Sequence, residues 1–208
     1  GELSGGQKQR VSMAGVMIDR VEILLFDEPL ANLDPASGKR TIDLIDRIQK
    51  NDHTTIVIIE HRLEDVLYRD VDRIIVIGDG KIAADSKPDA LLTTSVLEAE
   101  GIREPLYLTA CKYMDIPVLE ERKPQHVETF DLTGMEEKAQ KWYHEAQVQS
   151  CKPEGETLLE LQQTGFGYLP GQQVLQNISF QVKKGEMLSI VGKNGAGKST
   201  MSSLICGF

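Results

Sequence analysis

The first hundred residues alternate between short apolar runs and amphipathic stretches. Residues 23–26 form an unbroken apolar run, and residues 54–59 are rich in β-branched side chains. Both runs are typical of parallel strands that are covered on both faces. Between them, residues 36–50 carry three isoleucines at helical spacing. This alternation of strand and helix predicts an α/β fold.

A hairpin is predicted next along the chain. Gly78-Asp79-Gly80 separates two short apolar runs, at residues 73–77 and 81–84, which is a strong signal for a tight turn between antiparallel strands. Short helices are predicted on either side of the hairpin, at residues 63–68 and 87–93.

The pattern weakens over residues 99–156 and strengthens again afterwards. The weaker stretch contains several prolines, and we interpret it as an interdomain linker with some structure of its own, including a helix over residues 135–148. Beyond it, residues 158–162 and 174–182 alternate as strands do. Residues 187–191 are apolar and predict a third strand, which leads into a glycine-rich loop and a helix that begins at Lys198.

Composition narrows the classes of function. The 208 residues carry a formal net charge of −9, which argues against a nucleic-acid partner because phosphate backbones need clustered Lys and Arg. The three cysteines match no metal-binding spacing and are interpreted as reduced thiols. No apolar run approaches the roughly 18 residues of a membrane span, so any membrane association is expected to come through a partner. His53, His126 and His144 are interpreted as surface residues.

Two segments carry recognisable phosphate chemistry. Residues 192–199, Gly-Lys-Asn-Gly-Ala-Gly-Lys-Ser, match the pattern G-x-x-x-x-G-K-[ST] in full. In such a loop, backbone N–H groups and a helix N-terminus surround phosphates, and glycines permit the close approach. Lys198 would reach the β- and γ-phosphates of a nucleotide, and Ser199 would ligate Mg²⁺. The strand at residues 23–26 ends in Asp27 and Glu28, which suit a Mg²⁺ ligand and a base that polarises water.

Four short motifs follow one another along the chain: Leu3-Ser4-Gly5-Gly6-Gln7, Asp27-Glu28-Pro29, Asn32-Leu33-Asp34 and Glu60-His61. Their order and spacing resemble the ABC ATPases, and the four are similar to the signature, Walker B segment, D-loop and switch histidine of that family. The resemblance covers residues 1 to about 95 and about 157 to 208. It implies a P-loop NTPase fold of the ABC ATPase type, with ATP and Mg²⁺ as cofactors.

The resemblance also implies roles for individual residues. Glu28 is the implied catalytic base, His61 the switch that touches the γ-phosphate, and Asp34 the aspartate that communicates between sites. Asp27 and Ser199 are the implied metal ligands. The implied ATP-binding residues include the signature, a tyrosine that stacks on adenine, and the glycine loop: Ser4, Gly5, Gly6, Gln7, Tyr168, Gly192, Asn194, Gly195, Ala196, Gly197, Lys198, Ser199 and Thr200.

The motifs stand in the reverse of the usual order, because the signature precedes the glycine loop. We therefore expect an internal part of a tandem protein: residues 1–98 as the second half of one ATPase domain, 99–156 as a linker, and 157–208 as the first part of the next. ABC domains pair head to tail, so Lys198 and Ser4 would serve one nucleotide while Asp27, Glu28 and His61 serve another. The 208-residue chain alone is expected to lack ATPase activity.

Residues 29–35 and 57–66 resemble the duplicated ATPases of energy-coupling factor transporters, which import vitamins, thiamine precursors or cobalt. That resemblance implies a peripheral protein on the cytoplasmic face of the cell membrane, with a membrane-embedded coupling subunit and a substrate-binding subunit as partners. A soluble tandem ABC protein that acts on ribosomes or nucleic acid is the alternative. It usually has a basic interdomain segment, whereas residues 101–156 carry 11 acidic against 7 basic side chains.

A further possibility concerns how the two parts pack. The chain could fold as a permuted pseudo-domain in which residues 187–191 pair near residues 22–26. Lys198 would then lie close to Asp27.

Overall fold

The structure is a computed structural model, and it describes residues 11, 15, 21–146 and 155–207. The chain divides into two compact units, Gly1–Gln147 and Val148–Phe208. Among residues 1–20 the structure describes only Val11 and Gly15, which are both helical. None of the described helices combines the length and the hydrophobicity that a membrane crossing requires.

A parallel strand pair and one long helix open the first unit. β1 (Ile23–Asp27) pairs with β2 (Thr55–Ile59), so that the carboxyl ends of both strands meet at one edge. The connection between them is α1 (Pro35–Asp52). Asp34 caps α1, because its carboxylate accepts hydrogen bonds from the Ser37 N–H and from the Ser37 hydroxyl, both at 3.0 Å.

Only one face of this strand pair is covered by the described residues. Leu30, Ile42 and Ile45 are buried against the side chains of β1 and β2 that face α1. On the opposite face, Ile23 and Leu25 are each 64% exposed. The expectation of strands covered on both faces is therefore wrong for this structure, because α1 packs on one side alone.

The predicted hairpin is confirmed. β3 (Ile74–Gly78) and β4 (Lys81–Ser86) are antiparallel, and Asp79 and Gly80 join them with φ values of 48° and 73°. Two positive φ angles give the turn a twist that matches the right-handed twist of the strands. The short helices α2 (Leu63–Val66) and α3 (Pro88–Leu92) flank the hairpin as predicted.

The stretch interpreted as a linker is folded against these elements. It begins at the end of α4 (Val96–Ala99) and contains α5 (Leu106–Tyr113), a 3₁₀ turn (Glu120–Arg122) and α6 (Glu136–Glu145). One buried apolar cluster joins it to the hairpin region; its members are Leu67, Val76, Leu91, Leu92, Leu97, Leu108, Cys111, Ile116, Phe130 and Met135. The core therefore crosses residue 98, while the role of this segment as a link between domains stays a prediction.

Polar contacts fix the irregular part of this segment. The Tyr107 hydroxyl lies 2.5 Å from the carbonyl oxygen of Pro124, and burial raises the pKa of Tyr107, so the phenol remains a hydrogen-bond donor. His126 Nε2 lies 2.9 Å from Asp70 Oδ1, and the His126 side chain is only 22% exposed. His126 is therefore a half-buried residue that contacts an exposed carboxylate, whereas His53 and His144 are exposed.

The second unit is a hairpin with one helix. β5 (Thr157–Phe166) and β6 (Leu175–Lys183) are antiparallel, and α7 (Lys198–Cys206) packs Met201 against Leu161 and Leu175. All three elements were predicted, although β5 is longer than expected.

The predicted strand at residues 187–191 is absent from this unit. Met187 is 96% exposed and Val191 is 84% exposed. A strand needs a hydrogen-bonding neighbour, and β5 and β6 pair with each other while β1 pairs with β2. The prediction of a strand at residues 187–191 is therefore wrong, while the pairing of this segment near residues 22–26 and the approach of Lys198 to Asp27 stay predictions.

Two leucines on α5 test the position of the main core. Leu108 is 1% exposed, whereas Leu106 on the same helix is 53% exposed. Leu108→Ala should lower the free energy of unfolding by about 2–5 kcal/mol, because it removes buried methyl groups and leaves a cavity. Leu106→Ala should cost about 0.5 kcal/mol or less. Chemical denaturation measures both, and equal losses would contradict the assignment of the core.

The contact between Arg73 and Asp85 leads to a prediction about the pKa of Asp85. Hydrogen bonding from Arg73 holds the pKa of Asp85 below its usual value. A depressed folded-state pKa contributes stability above the unfolded-state pKa, and that contribution is lost as the pH falls through the folded-state pKa. Carboxyl-carbon NMR of Arg73→Gln should show the pKa of Asp85 rising toward its ordinary value. An unchanged titration curve would exclude this pair as the cause.

Candidate functional site

The first cluster of predicted site residues lies where β1 and β2 end. Asp27 is the last residue of β1 and is paired in register with Ile59, so the chain leaves both strands at the same level. Glu28 donates its backbone N–H to the Ile59 carbonyl at 2.9 Å. The side chains of Asp27 and Glu28 are both exposed at this edge, which is where ligands bind in open α/β sheets.

The loop after β1 is held in an unusual conformation. Glu28 and Asn32 have φ values of 45° and 58°, a left-handed region that costs a non-glycine residue about 1–3 kcal/mol when its surroundings impose it. The Ala31 N–H donates to the Glu28 carbonyl at 3.0 Å, and the Leu33 N–H donates to the Leu30 carbonyl at 3.2 Å. These turns leave the Glu28 side chain exposed to solvent. Backbone strain like that of the two positive φ angles is concentrated at functional sites.

The structure brings the two predicted catalytic residues together. His61 Nδ1 lies 3.9 Å from Glu28 Oε1 and 3.6 Å from Glu60 Oε2. Both distances exceed a hydrogen bond. The side chains of His61 and Glu28 are 70% and 56% exposed, so both can reach a molecule bound above the sheet edge.

Glu60 was not predicted as a site residue. Its side chain is 2% exposed and accepts hydrogen bonds from three backbone N–H groups, those of Leu30, His61 and Arg62. The available signal was a carboxylate placed directly before the switch histidine. Periodicity could not show that this carboxylate points inward.

The second cluster is the glycine loop before α7. Gly195 and Gly197 have φ values of 81° and 92°, which are unfavourable for residues that have a Cβ atom. Lys198 Nζ donates to the carbonyl oxygens of Gly192 and Lys193, at 2.7 Å and 2.9 Å. The loop thus curls around the lysine at the start of a nine-residue helix, an arrangement that fits phosphate oxygens.

Tyr168 and Thr200 contact each other in the same unit. Their hydroxyl oxygens lie 3.1 Å apart, and Thr200 is 8% exposed while Tyr168 is 66% exposed. The Tyr168 ring meets the edge of Phe166, with centroids 5.1 Å apart. Thr200 therefore anchors the tyrosine to α7, and the stacking of Tyr168 on adenine stays a prediction.

The residues present fit a nucleotide-bound Mg²⁺ rather than a protein cage for the metal. Within the described ranges, no three His, Cys, Asp or Glu side chains lie close enough to hold a metal ion. Asp27 and Ser199 belong to different units, and each offers an oxygen ligand of the kind that Mg²⁺ takes together with phosphates and water. Ser4, Gly5, Gly6 and Gln7 lie outside the described residues.

Family comparisons match most of the chain in three pieces. A profile described as ABC transporter matches residues 1–31 and 175–208, which contain the signature, Asp27, Glu28 and the glycine loop. A profile described as ATP-binding cassette cobalt transporter matches residues 94–166. Motif reasoning had left that middle segment without any relative.

Individual relatives agree with the profiles. An ABC transporter ATP-binding protein of Clostridium perfringens is 50% identical over 99% of this chain, and one of Streptococcus mutans is 49% identical over 100%. The chain spans 36% of the length of each. A solved complex of an archaeal ribosomal stalk protein with an archaeal ribosome recycling factor matches 99% of this chain and 34% of the solved chain, with a TM-score of 0.53 and 22% identity, which supports the fold alone.

The fold is that of an ABC-type P-loop ATPase. By sequence, the chain is a relative of the ATP-binding proteins of ABC transporters. The α/β, P-loop prediction made from the motifs is confirmed. The roles of the individual residues stay predictions, and the geometry described above is compatible with those that fall within the described ranges.

Two glycines of the loop test its conformation. A Cβ on Gly197 would lie 2.8 Å from Leu175 Cδ2, whereas one on Gly195 would meet nothing within 4 Å. Gly195→Ala should cost only the strain of a positive φ, about 1–2 kcal/mol. Gly197→Ala should cost about 1–3 kcal/mol more, from overpacking. Thermal unfolding should rank the variants in that order, and the reverse order would exclude this loop geometry.

Proposed function

We propose that this chain is part of a tandem ATPase subunit that powers a membrane importer of the energy-coupling factor type. The observation that carries the proposal is the order of the matches: an ABC signature and Walker B segment, a stretch that matches the cobalt transporter profile, and a glycine loop. The protein would sit peripherally on the cytoplasmic face of the membrane. Its partners would be a membrane-embedded coupling subunit and a substrate-binding subunit.

The proposed domain organisation follows from head-to-tail pairing. Residues 1–98 are the second half of one ATPase domain, residues 99–156 link the two domains, and residues 157–208 are the first part of the next domain. Lys198 and Ser4 then serve one nucleotide. Asp27, Glu28 and His61 serve the other.

Each residue has a chemical task in the proposed reaction. Bound ATP supplies the scissile phosphoanhydride bond and, with Mg²⁺, the charge that the site stabilises. Glu28 accepts a proton from the attacking water, since its exposed carboxylate projects from the sheet edge. His61 lies beside Glu28 and donates a hydrogen bond toward the γ-phosphate. Asp27 holds Mg²⁺, and Lys198 neutralises phosphate charge in its own site.

Replacing Glu28 tests the proposed base. In the full-length protein, Glu28→Gln should lower ATP turnover by about 10²–10⁴-fold, because the amide cannot accept the proton, while ATP binding persists. Glu22→Gln is the matched control, since Glu22 is an exposed glutamate just before β1. Steady-state phosphate release and binding of a fluorescent ATP analogue give the two readouts. Unchanged turnover in Glu28→Gln would refute the assignment.

The 208-residue chain alone provides a second test. It should show no appreciable ATPase activity, because the base and the glycine loop serve different nucleotides. A steady-state assay of the purified chain decides the matter. Turnover that Glu28→Gln abolishes would overturn the proposed division of the sites.

The alternative is a soluble tandem ABC protein that acts on ribosomes or nucleic acid. The net charge of −9 disfavours it, and the likeness to a ribosome recycling factor concerns the fold. Affinity purification of the full-length protein from cells separates the two proposals. Recovery of a membrane coupling subunit supports the importer, and recovery of ribosomes supports the alternative.

A further inference from the structure

We propose that Glu60 is a positioning residue that locks the loop carrying Glu28 and Asp34 to the loop carrying His61, so that both move as one body. The inference rests on the proposed ATPase function. It assigns a role to a residue that the motifs leave without one.

The Glu60 carboxylate joins two loops that are distant in sequence. Oε1 accepts the Leu30 N–H at 3.0 Å. Oε2 accepts the His61 N–H at 3.0 Å and the Arg62 N–H at 3.2 Å. With its side chain 2% exposed, the carboxylate offsets the cost of burial through these three bonds, because charge-assisted hydrogen bonds are the strong ones.

Arg62 adds a second contact between the two loops, and we refer to the contacts of Glu60 and Arg62 with Leu30 as the clamp. Its Nη1 donates to the Leu30 carbonyl oxygen at 3.0 Å, so both backbone polar groups of Leu30 are bound by the same short segment. Asp65 fixes the guanidinium, with Nη2 and Oδ2 2.6 Å apart. The Leu30 side chain is fully buried next to Ile42 and Ile45, which makes Leu30 a firm anchor.

The position of Leu30 makes this clamp relevant to catalysis. It stands two residues after Glu28, whose φ of 45° needs support from its surroundings, and four residues before Asp34, which caps α1. On the other loop, His61 directly follows Glu60. A rigid connection at Leu30 therefore sets the distance between the proposed base and the switch histidine.

Only a carboxylate with the length of Glu satisfies this arrangement. A glutamine has one acceptor oxygen and one NH₂ group. Its NH₂ group would face either the Leu30 N–H or the two N–H groups of the His61 loop, and donor would oppose donor. Glu60→Gln should therefore loosen one loop from the other while conserving shape and volume.

The expected effect is on turnover rather than on nucleotide affinity. A displacement of about 1 Å between reacting groups costs roughly 10²-fold in rate. In the proposed reaction the glycine loop binds the phosphates of ATP, whereas Glu60 bonds to the backbone N–H groups of Leu30, His61 and Arg62. In the full-length protein, Glu60→Gln should lower kcat by about 10–100-fold and leave KM for ATP within about two-fold of the wild type, as expected when an interaction matters only in the transition state.

Hydrogen exchange provides a readout that does not need catalysis. In Glu60→Gln, the backbone amides of residues 30–34 and 60–62 and of Glu28 should lose protection, while those of α5 and the main core keep theirs. Glu64→Gln is the matched control, since Glu64 is an exposed glutamate four residues further on. It should change neither kcat nor exchange at Leu30.

The two measurements separate the clamp from the proposed function. The positioning role is overturned if the wild type hydrolyses ATP and Glu60→Gln has the same kcat as the wild type. It is also overturned if Glu60→Gln raises both the KM for ATP and the hydrogen exchange of the whole unit. If the wild type binds ATP without hydrolysing it, the proposed function fails. Exchange at Glu28 and at residues 30–34 then still decides whether Glu60 holds the loop.

Discussion

The parallel pairing of β1 with β2 is the interaction on which the candidate catalytic cluster depends. Because Asp27 lies in register with Ile59, the chain leaves both strands at the same level, and Glu28 and Glu60 begin adjacent loops. The Glu28 N–H continues the ladder by one bond to Ile59. A shift of one residue would send the side chains that follow to the wrong faces, so this register positions every group at the edge.

Polar groups convert that edge into a defined site. The buried Glu60 carboxylate and the Arg62 guanidinium bind the backbone of Leu30, and the Asp34 carboxylate ends the loop by capping α1. Such contacts allow a left-handed Glu28 to persist at a solvent-exposed position. The glycine loop of the second unit works differently, since its shape comes from glycine backbone freedom and from Lys198 bonding to the carbonyls around it.

Much of the fold could be predicted because its signals are local. The helix over Pro35–Asp52, the hairpin around Gly80 and the start of α7 at Lys198 depend on spacing, turn residues and a motif within a few positions. The site was partly predictable for the same reason, because Glu28 and His61 follow the ends of β1 and β2 within two residues. The contacts of Glu60 and His126 were not predicted, because their partners lie 30 and 56 residues away in sequence and the local pattern of residues does not indicate such contacts.

The sequence by itself determined where the candidate chemical groups lie along this chain: the glycine loop, the carboxylates after β1 and the order of the motifs follow from residue type and spacing. Only the tertiary structure decided which apolar positions are buried. Residues 187–191 have the composition of a strand yet form none, and Ile23 and Leu25 remain exposed. The physical reason is that a strand and a buried face each require a partner, and the presence of a partner depends on the whole chain rather than on the segment.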